Sequence, residues 1–148
     1  MNSILIAVSC VFLCTFPLFA QQSKLNIAVN ELQAEGIDAS SARIVPDRFS
    51  QELFNTSAFT VLERGQMEEI LSEQGFQQSG CTSDACIVEV GQLLGVTHMI
   101  AGTIGKLGST YTINVRMIEI KTGRIAFTAS TDCRCEIDDL LSKSSVVL

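Results

Sequence analysis

Apolar and polar residues alternate along three consecutive segments near the middle of the chain, and this alternation predicts three strands. The predicted strands are His98–Leu107, Tyr111–Ile120 and Arg124–Thr131. The middle strand has the clearest pattern: one face carries Tyr111, Ile113, Val115 and Met117, and the other carries Thr112, Asn114 and Arg116.

Short turns join these three strands, at Gly108-Ser109 and at Thr122-Gly123. Glycine tolerates the backbone angles of tight hairpin turns, so the three strands form an antiparallel meander. In the last strand, Ile125, Phe127 and Ala129 are expected to share the apolar face. Such alternation is typical of a sheet with one face packed on helices, and we expect that arrangement here.

Apolar residues recur every three to four positions upstream of the meander, and this spacing predicts helices. Val45, Phe49 and Leu53 mark a helix from Ser40 or Ser41 to about Asn55, in which Pro46 marks either the first turn or a kink. The other predicted elements are strands over Lys24–Leu32 and Phe59–Glu63, a loop over Gln33–Ala39, helices over Gln66–Gln74 and Ser83–Leu94, and a final helix over Glu136–Lys143. The order β-α-β-α-α-β-β-β-α predicts an α+β fold whose mixed sheet includes the meander packed on helices.

The first twenty residues carry no charge, and the sixteen residues of Ile4–Phe19 are almost continuously apolar. This run is shorter than the roughly 20 residues of a membrane-spanning helix, and it ends near a small residue, Ala20. The pattern predicts a secretory signal peptide over residues 1–20, cleaved after Ala20, although Met1–Ser3 lacks the usual basic residue. An uncleaved anchor is the alternative. Lipidation at Cys10 or Cys14 fits less well, because neither follows both a long apolar run and small residues.

Residues 21–148 are enough for a single domain with one packed core. All 16 acidic and 10 basic residues of the chain lie there, so the net charge stays at −6 after cleavage. A surface of this sign repels phosphate backbones, and the sequence contains no basic run. Nucleic acid is therefore not expected as a partner.

Four cysteines remain after cleavage, and they are our candidate disulfide residues: Cys81, Cys86, Cys133 and Cys135. An even number in an exported domain favours disulfides, but three pairings are open. A bond joining one cysteine of each pair is expected to be more relaxed, because closing the small ring between Cys133 and Cys135 strains the backbone. A zinc site and a redox pair are the alternatives. The C-x4-C and C-x-C spacings match zinc sites poorly, and no C-x-x-C motif is present.

No group of residues in the sequence predicts an enzyme or a cofactor site. His98, the only histidine, begins a strand without an evident nucleophile beside it, so we interpret it as structural. The glycines of Gly102–Gly108 lack the following helix that a phosphate loop needs, and they indicate bulges or close packing. Glu68, Glu69 and Glu73 fit a solvated helix face. These observations favour a non-enzymatic binding or assembly domain.

Several features of the chain resemble the CsgG family, the curli production assembly/transport components. One strand ends in Val61–Arg64 (VLER), Gln66-Met67 opens the next helix, and Gly91–Gly95 precedes a strand rich in small residues. Arg116 in a later strand and the Thr122-Gly123 turn complete the resemblance, which covers most of the mature chain.

The resemblance implies a periplasmic domain, with outer-membrane association as an option. It implies protein–protein contact in curli-like assembly or secretion, with envelope proteins as partners and a homo-oligomer as a further option. Similar domains occur in the lipoprotein activators of penicillin-binding proteins and at the amino terminus of TolB. One alternative is therefore an activator or accessory of a peptidoglycan synthase. The four cysteines give the other alternative, a cysteine-based metal or redox module. The tight turns of the meander leave no room for long membrane-spanning hairpins there.

Overall fold

The computed structural model describes residues 24–76 and 81–135. Six strands and three helices lie in these ranges: β1 (Leu25–Val29), β2 (Gln33–Glu35), α1 (Ala39–Asn55), β3 (Phe59–Leu62), α2 (Arg64–Glu73), α3 (Asp84–Leu94), β4 (His98–Leu107), β5 (Thr110–Glu119) and β6 (Arg124–Cys133). The predicted signal peptide and the predicted helix over Glu136–Lys143 lie outside the described residues.

The strands form one mixed sheet in the order β3-β1-β4-β5-β6, which confirms the predicted α+β class. β1 is parallel to both β3 and β4, whereas β4, β5 and β6 are antiparallel and form the predicted meander. The prediction of a plain loop over Gln33–Ala39 was wrong. Residues Gln33–Glu35 form β2, which extends the β1 edge of β4 and is parallel to it.

Helices pack on both faces of the sheet, so the expectation of one covered face was wrong. On one face, Leu53 of α1 packs with Ile27 and Ile100. On the other face, Ile87 of α3 packs with Met99 and with neighbouring residues of α2. Met99 and Ile100 are consecutive in β4 and are both buried, and consecutive strand residues point to opposite faces. The short apolar runs of β1 and β4 are therefore the reason that both faces bury side chains.

Local residue choices set the helix ends much as the sequence predicts. Ser83 caps α3, where its side chain accepts a hydrogen bond from the backbone N–H of Cys86. Gly95 ends α3 in the left-handed conformation with φ 66°. Pro46 lies inside α1 rather than in its first turn, so the helix begins earlier than this proline would suggest.

Gly102 in β4 is a point of close backbone approach, as its place among the glycines of that strand predicts. A methyl group at this position would overlap the backbone carbonyl of Asn114 in β5. Gly65 in α2, in contrast, has no atom within 4 Å of the corresponding position.

The Gly102→Ala change is expected to lower the free energy of unfolding by about 1–3 kcal/mol, because the added methyl group must push two hydrogen-bonded strands apart. The control Gly65→Ala should leave stability unchanged or raise it by up to about 1 kcal/mol, because alanine favours helix. Urea denaturation of the two variants measures both values. Equal stability of the two variants would show that the β4–β5 contact does not require glycine.

Candidate docking surface

An apolar groove opens on the face of the sheet that carries α1. The second half of this helix lies mainly over β1 and β3, and its first half also packs on Tyr111, Ile113 and Cys133 at one end of the β5–β6 hairpin. The space between α1 and the β5–β6 hairpin has a volume of about 470 Å³. Its walls include apolar side chains from the helix and from both hairpin strands: Phe49, Leu53, Val115, Met117, Phe127 and Ala129.

The hairpin strands reach the groove because of the alternation in β5. Met117 pairs with Phe127 of β6, and Val115 pairs with Ala129, so all four side chains point to the α1 face. Phe127 remains 58% exposed at the rim of the groove. Phe127 thus adds exposed apolar surface to the groove, and contiguous apolar surfaces mark interaction sites more often than isolated exposed residues do.

A bulge in β6 changes the predicted face of one residue. Ile118 pairs with Ile125, while Met117 pairs with Phe127, so Ala126 has no partner in the ladder. Met117 and Ile118 point to opposite faces, and each partner in β6 points to the same face as the residue with which it pairs. Ile125 therefore lies on the face opposite Phe127, and the prediction that the two residues share one face was wrong.

On the opposite face of the β5–β6 hairpin, one stretch is polar. The hydroxyl of Ser130 donates a hydrogen bond of 2.7 Å to Oδ1 of Asn114, and the hydroxyl of Thr112 donates one of 2.7 Å to Oδ1 of Asp132. These exposed side chains bond to one another across the strands. Over this stretch the hairpin has apolar side chains toward the groove and, on the other face, polar groups that bond with each other. The groove side is therefore the better candidate for docking.

The four cysteines form two local pairs in the structure, Cys81–Cys86 and Cys133–Cys135. The preference for bonds that cross between the pairs was wrong. Cys81 packs with the residues around α3, whereas Cys133 packs with those under the start of α1, on the other side of the sheet. The two pairs therefore lie on opposite faces of the sheet.

Two arginines of the family resemblance hold helix starts in place. Nε of Arg116 lies 2.9 Å from Oδ1 of Asp84, and its terminal nitrogen donates a 3.2 Å hydrogen bond to the carbonyl of Thr82. Nε of Arg64 lies 2.7 Å from Oδ1 of Asp47 in α1. These contacts connect β5 to the start of α3 and connect α2 to α1.

The residues considered as candidates for chemistry do not come together in the described part of the chain. His98 is half-buried, and its Nδ1 lies 3.0 Å from the hydroxyl of its neighbour Thr97. Glu68, Glu69 and Glu73 are exposed on α2. Within residues 24–76 and 81–135, no three His, Cys, Asp or Glu side chains are grouped so that they could hold a metal ion.

A comparison of the sequence with protein-family models identifies a family. Residues 18–112 match the family model for the curli production assembly/transport component CsgG, and this match covers more than half of the chain. The chain belongs to the CsgG family. No curated protein matches it by sequence.

Several solved structures have the same fold as this CsgG-family chain. The LpoB C-terminal domain from Escherichia coli has a TM-score of 0.64 at 13% identity, with 78% of this chain and 88% of that chain covered. Lipoprotein GNA1162 from Neisseria meningitidis has a TM-score of 0.61 at 14% identity, with coverage of 82% and 94%. A PelC dodecamer from Paraburkholderia phytofirmans has a TM-score of 0.57 at 9% identity, with coverage of 84% and 85%. Because the sequence identities are this low, these similarities show a shared fold and nothing further.

The described residues of this CsgG-family chain include no helix long and apolar enough to cross a membrane. They do include one buried polar residue that the sequence does not reveal. Asn30 is only 3% exposed, and its Nδ2 donates a 3.1 Å hydrogen bond to the carbonyl of Cys81. This bond connects the end of β1 to the segment that leads into α3.

The Asn30→Ala change is expected to lower the free energy of unfolding by about 1–3 kcal/mol, because the carbonyl of Cys81 would lose its donor in a buried position. The control Asn26→Ala, at an exposed residue of β1, should change stability by less than about 0.5 kcal/mol. Thermal and urea denaturation measure both changes. A difference of less than about 0.5 kcal/mol between the variants would show that this hydrogen bond does not stabilise the fold.

Proposed function

We propose that this CsgG-family chain is an exported, non-enzymatic cell-envelope protein. It acts by protein–protein contact in curli-like assembly or secretion at the outer membrane. The apolar groove between α1 and the β5–β6 hairpin is its docking surface. The observation that carries this proposal is the groove itself, whose apolar wall continues onto the exposed ring of Phe127.

The chemistry of the groove indicates the kind of segment that binds. Aromatic and aliphatic side chains line it, so a partner places apolar side chains there and gains free energy by removing them from water. The ring of Phe127 is at the rim, where aromatic residues often dominate binding energy. The polar face of the hairpin remains in water in this arrangement.

Capture experiments with two matched variants test the groove. Phe127→Thr and Ile125→Thr remove large side chains of similar exposure, 58% and 51%, from opposite faces of the same strand. Threonine is compatible with a strand, so the fold should tolerate both changes. We expect Phe127→Thr to weaken binding of captured envelope proteins by about tenfold or more, and Ile125→Thr to leave it within about twofold.

The readout is quantitative mass spectrometry of envelope proteins retained by the immobilised wild-type chain and by each variant. Retention of outer-membrane secretion components that depends on Phe127 would support the proposal. Equal retention by all three proteins, or greater loss with Ile125→Thr, would contradict the groove as the docking surface.

Export is a separate part of the proposal, and intact-mass measurement of the periplasmic protein tests it. The expected chain begins at Gln21 after cleavage behind Ala20, and it lacks four hydrogens relative to the fully reduced form because of its two disulfides. Removal from the membrane fraction only by detergent would favour an anchored form. A full-length chain in the cytosol with four free thiols in residues 21–148 would contradict export.

The second candidate is a periplasmic activator or accessory of a peptidoglycan synthase. Its support is the fold shared with LpoB C-terminal domains over most of both chains. The capture experiment distinguishes the candidates, because retention of a peptidoglycan synthase in place of secretion components would favour the second. Light scattering of the purified chain tests a homo-oligomer, for which the PelC dodecamer provides an example within the same fold.

A further inference from the structure

The two cysteine pairs differ in the length of the loop that each of them closes. Cys81 and Cys86 enclose four residues at the start of α3, whereas Cys133 and Cys135 enclose only Arg134. The pairs lie on opposite faces of the sheet, so among the four cysteines that the structure describes each is bonded to its near neighbour. The redox behaviour of each bond can therefore be considered by itself.

Several contacts hold the Cys81–Cys86 loop in place. Asn30 donates a hydrogen bond to the carbonyl of Cys81, and Arg116 donates one to the carbonyl of Thr82. Ser83 accepts a hydrogen bond from the backbone N–H of Cys86. These contacts keep the two cysteines near each other even without the bond, so its re-formation after reduction is favoured.

The Cys133–Cys135 bond constrains the chain where β6 ends. Residues two apart in a strand lie roughly 6.6 Å apart, at about 3.3 Å per residue. The Cα atoms of Cys133 and Cys135 are 5.3 Å apart, since the chain bends after β6. A ring closed over one residue is strained, and strained or exposed disulfides are the ones that exchange readily.

We propose that Cys133 and Cys135 form a thiol–disulfide exchange site that accepts two electrons from a dithiol, and that Cys81–Cys86 is the resistant, structural bond. This activity is separate from docking in the groove. Cys133 is buried and Cys135 is half-buried, so Cys135 is the sulfur that an incoming thiolate reaches first.

The exchange balances in two steps. A thiolate of the dithiol attacks Sγ of Cys135, the Cys133–Cys135 bond breaks, and its electron pair leaves on Sγ of Cys133, which takes up a proton. The first sulfur of the dithiol is now bonded to Sγ of Cys135 in a mixed disulfide. The second thiol of the dithiol, as a thiolate, then attacks that first sulfur. Cys135 leaves as a thiolate and is protonated, and the dithiol has become a disulfide.

One effect opposes this ranking of the two bonds. Cys86 lies in the first turn of α3, where the helix dipole favours a thiolate and hence the reduced form. Asp84 places a carboxylate in the same turn, which favours the neutral thiol, and Arg116 pairs with that carboxylate at 2.8 Å. These charges partly offset one another, so we expect ring strain at Cys133–Cys135 to decide the order.

A redox titration of the full exported chain tests the ranking. The protein is equilibrated in dithiothreitol buffers of graded ratio and quenched in acid, and each cysteine is then scored by alkylation and peptide mass spectrometry. The Cys133–Cys135 pair should be half reduced at a dithiol-to-disulfide ratio at least tenfold lower than Cys81–Cys86, a difference of about 30 mV for a two-electron couple. Reduction of both pairs at the same ratio, or of Cys81–Cys86 first, would overturn the proposal.

Two controls separate an exchange site from a bond that only supports the fold. In the double variant Cys81→Ser/Cys86→Ser, the dithiol-to-disulfide ratio at which Cys133–Cys135 is half reduced should change by less than twofold. Selective reduction of Cys133–Cys135 should leave the far-UV circular dichroism unchanged. Cys133→Ser, which leaves Cys135, should react with oxidised glutathione at least tenfold faster than Cys135→Ser, which leaves Cys133. Unfolding on selective reduction, a shifted ratio in the double variant, or equal reaction rates would each contradict the proposed site.

Discussion

β4 is buried on both of its faces, and this burial determines where the helices pack. Met99, Ile100 and Ala101 follow one another in this strand, and all three are buried. A strand whose consecutive side chains are all apolar needs a packed layer on each side. α1 supplies one layer, and α2 with α3 supplies the other, while β1, β2 and β5 occupy the two edges of β4.

This arrangement leaves the outer hairpin incompletely covered. The first half of α1 buries Tyr111, Ile113 and Cys133 at one end of the hairpin. Beside its second half, the apolar side chains of β5 and β6 border a groove rather than a closed core. The other face of the same hairpin bears side chains that bond to each other, including Asn114 and Ser130. The difference between the two faces comes from the alternation in β5, and it is the physical reason that the groove is the candidate docking surface.

Much of the fold could be predicted from the sequence because its signals are local. The alternation in β5, the serine cap at Ser83 and the glycine at Gly95 each depend on nearby residues, and the structure has them as expected. β2 could not be predicted, because its three residues are exposed and its pairing with β4 depends on the sheet. The bulge at Ala126 also leaves no mark in the alternating pattern, and it changes which face Ile125 occupies.

The disulfide pairing could not be predicted either, because spacing leaves three pairings open and ring strain favours bonds between the pairs. The positions of Cys81 and Cys133 on opposite faces decide against such bonds, and those positions follow from the whole sheet.

We expect the α1 face of the β5–β6 hairpin to contact another protein in the envelope. A photoreactive amino acid placed at position 127 or at position 125 tests it in intact cells, because these positions share one strand and point to opposite faces. We expect a cross-linked envelope protein from position 127 and none from position 125. Adducts of equal yield from both positions, or from position 125 alone, would contradict it.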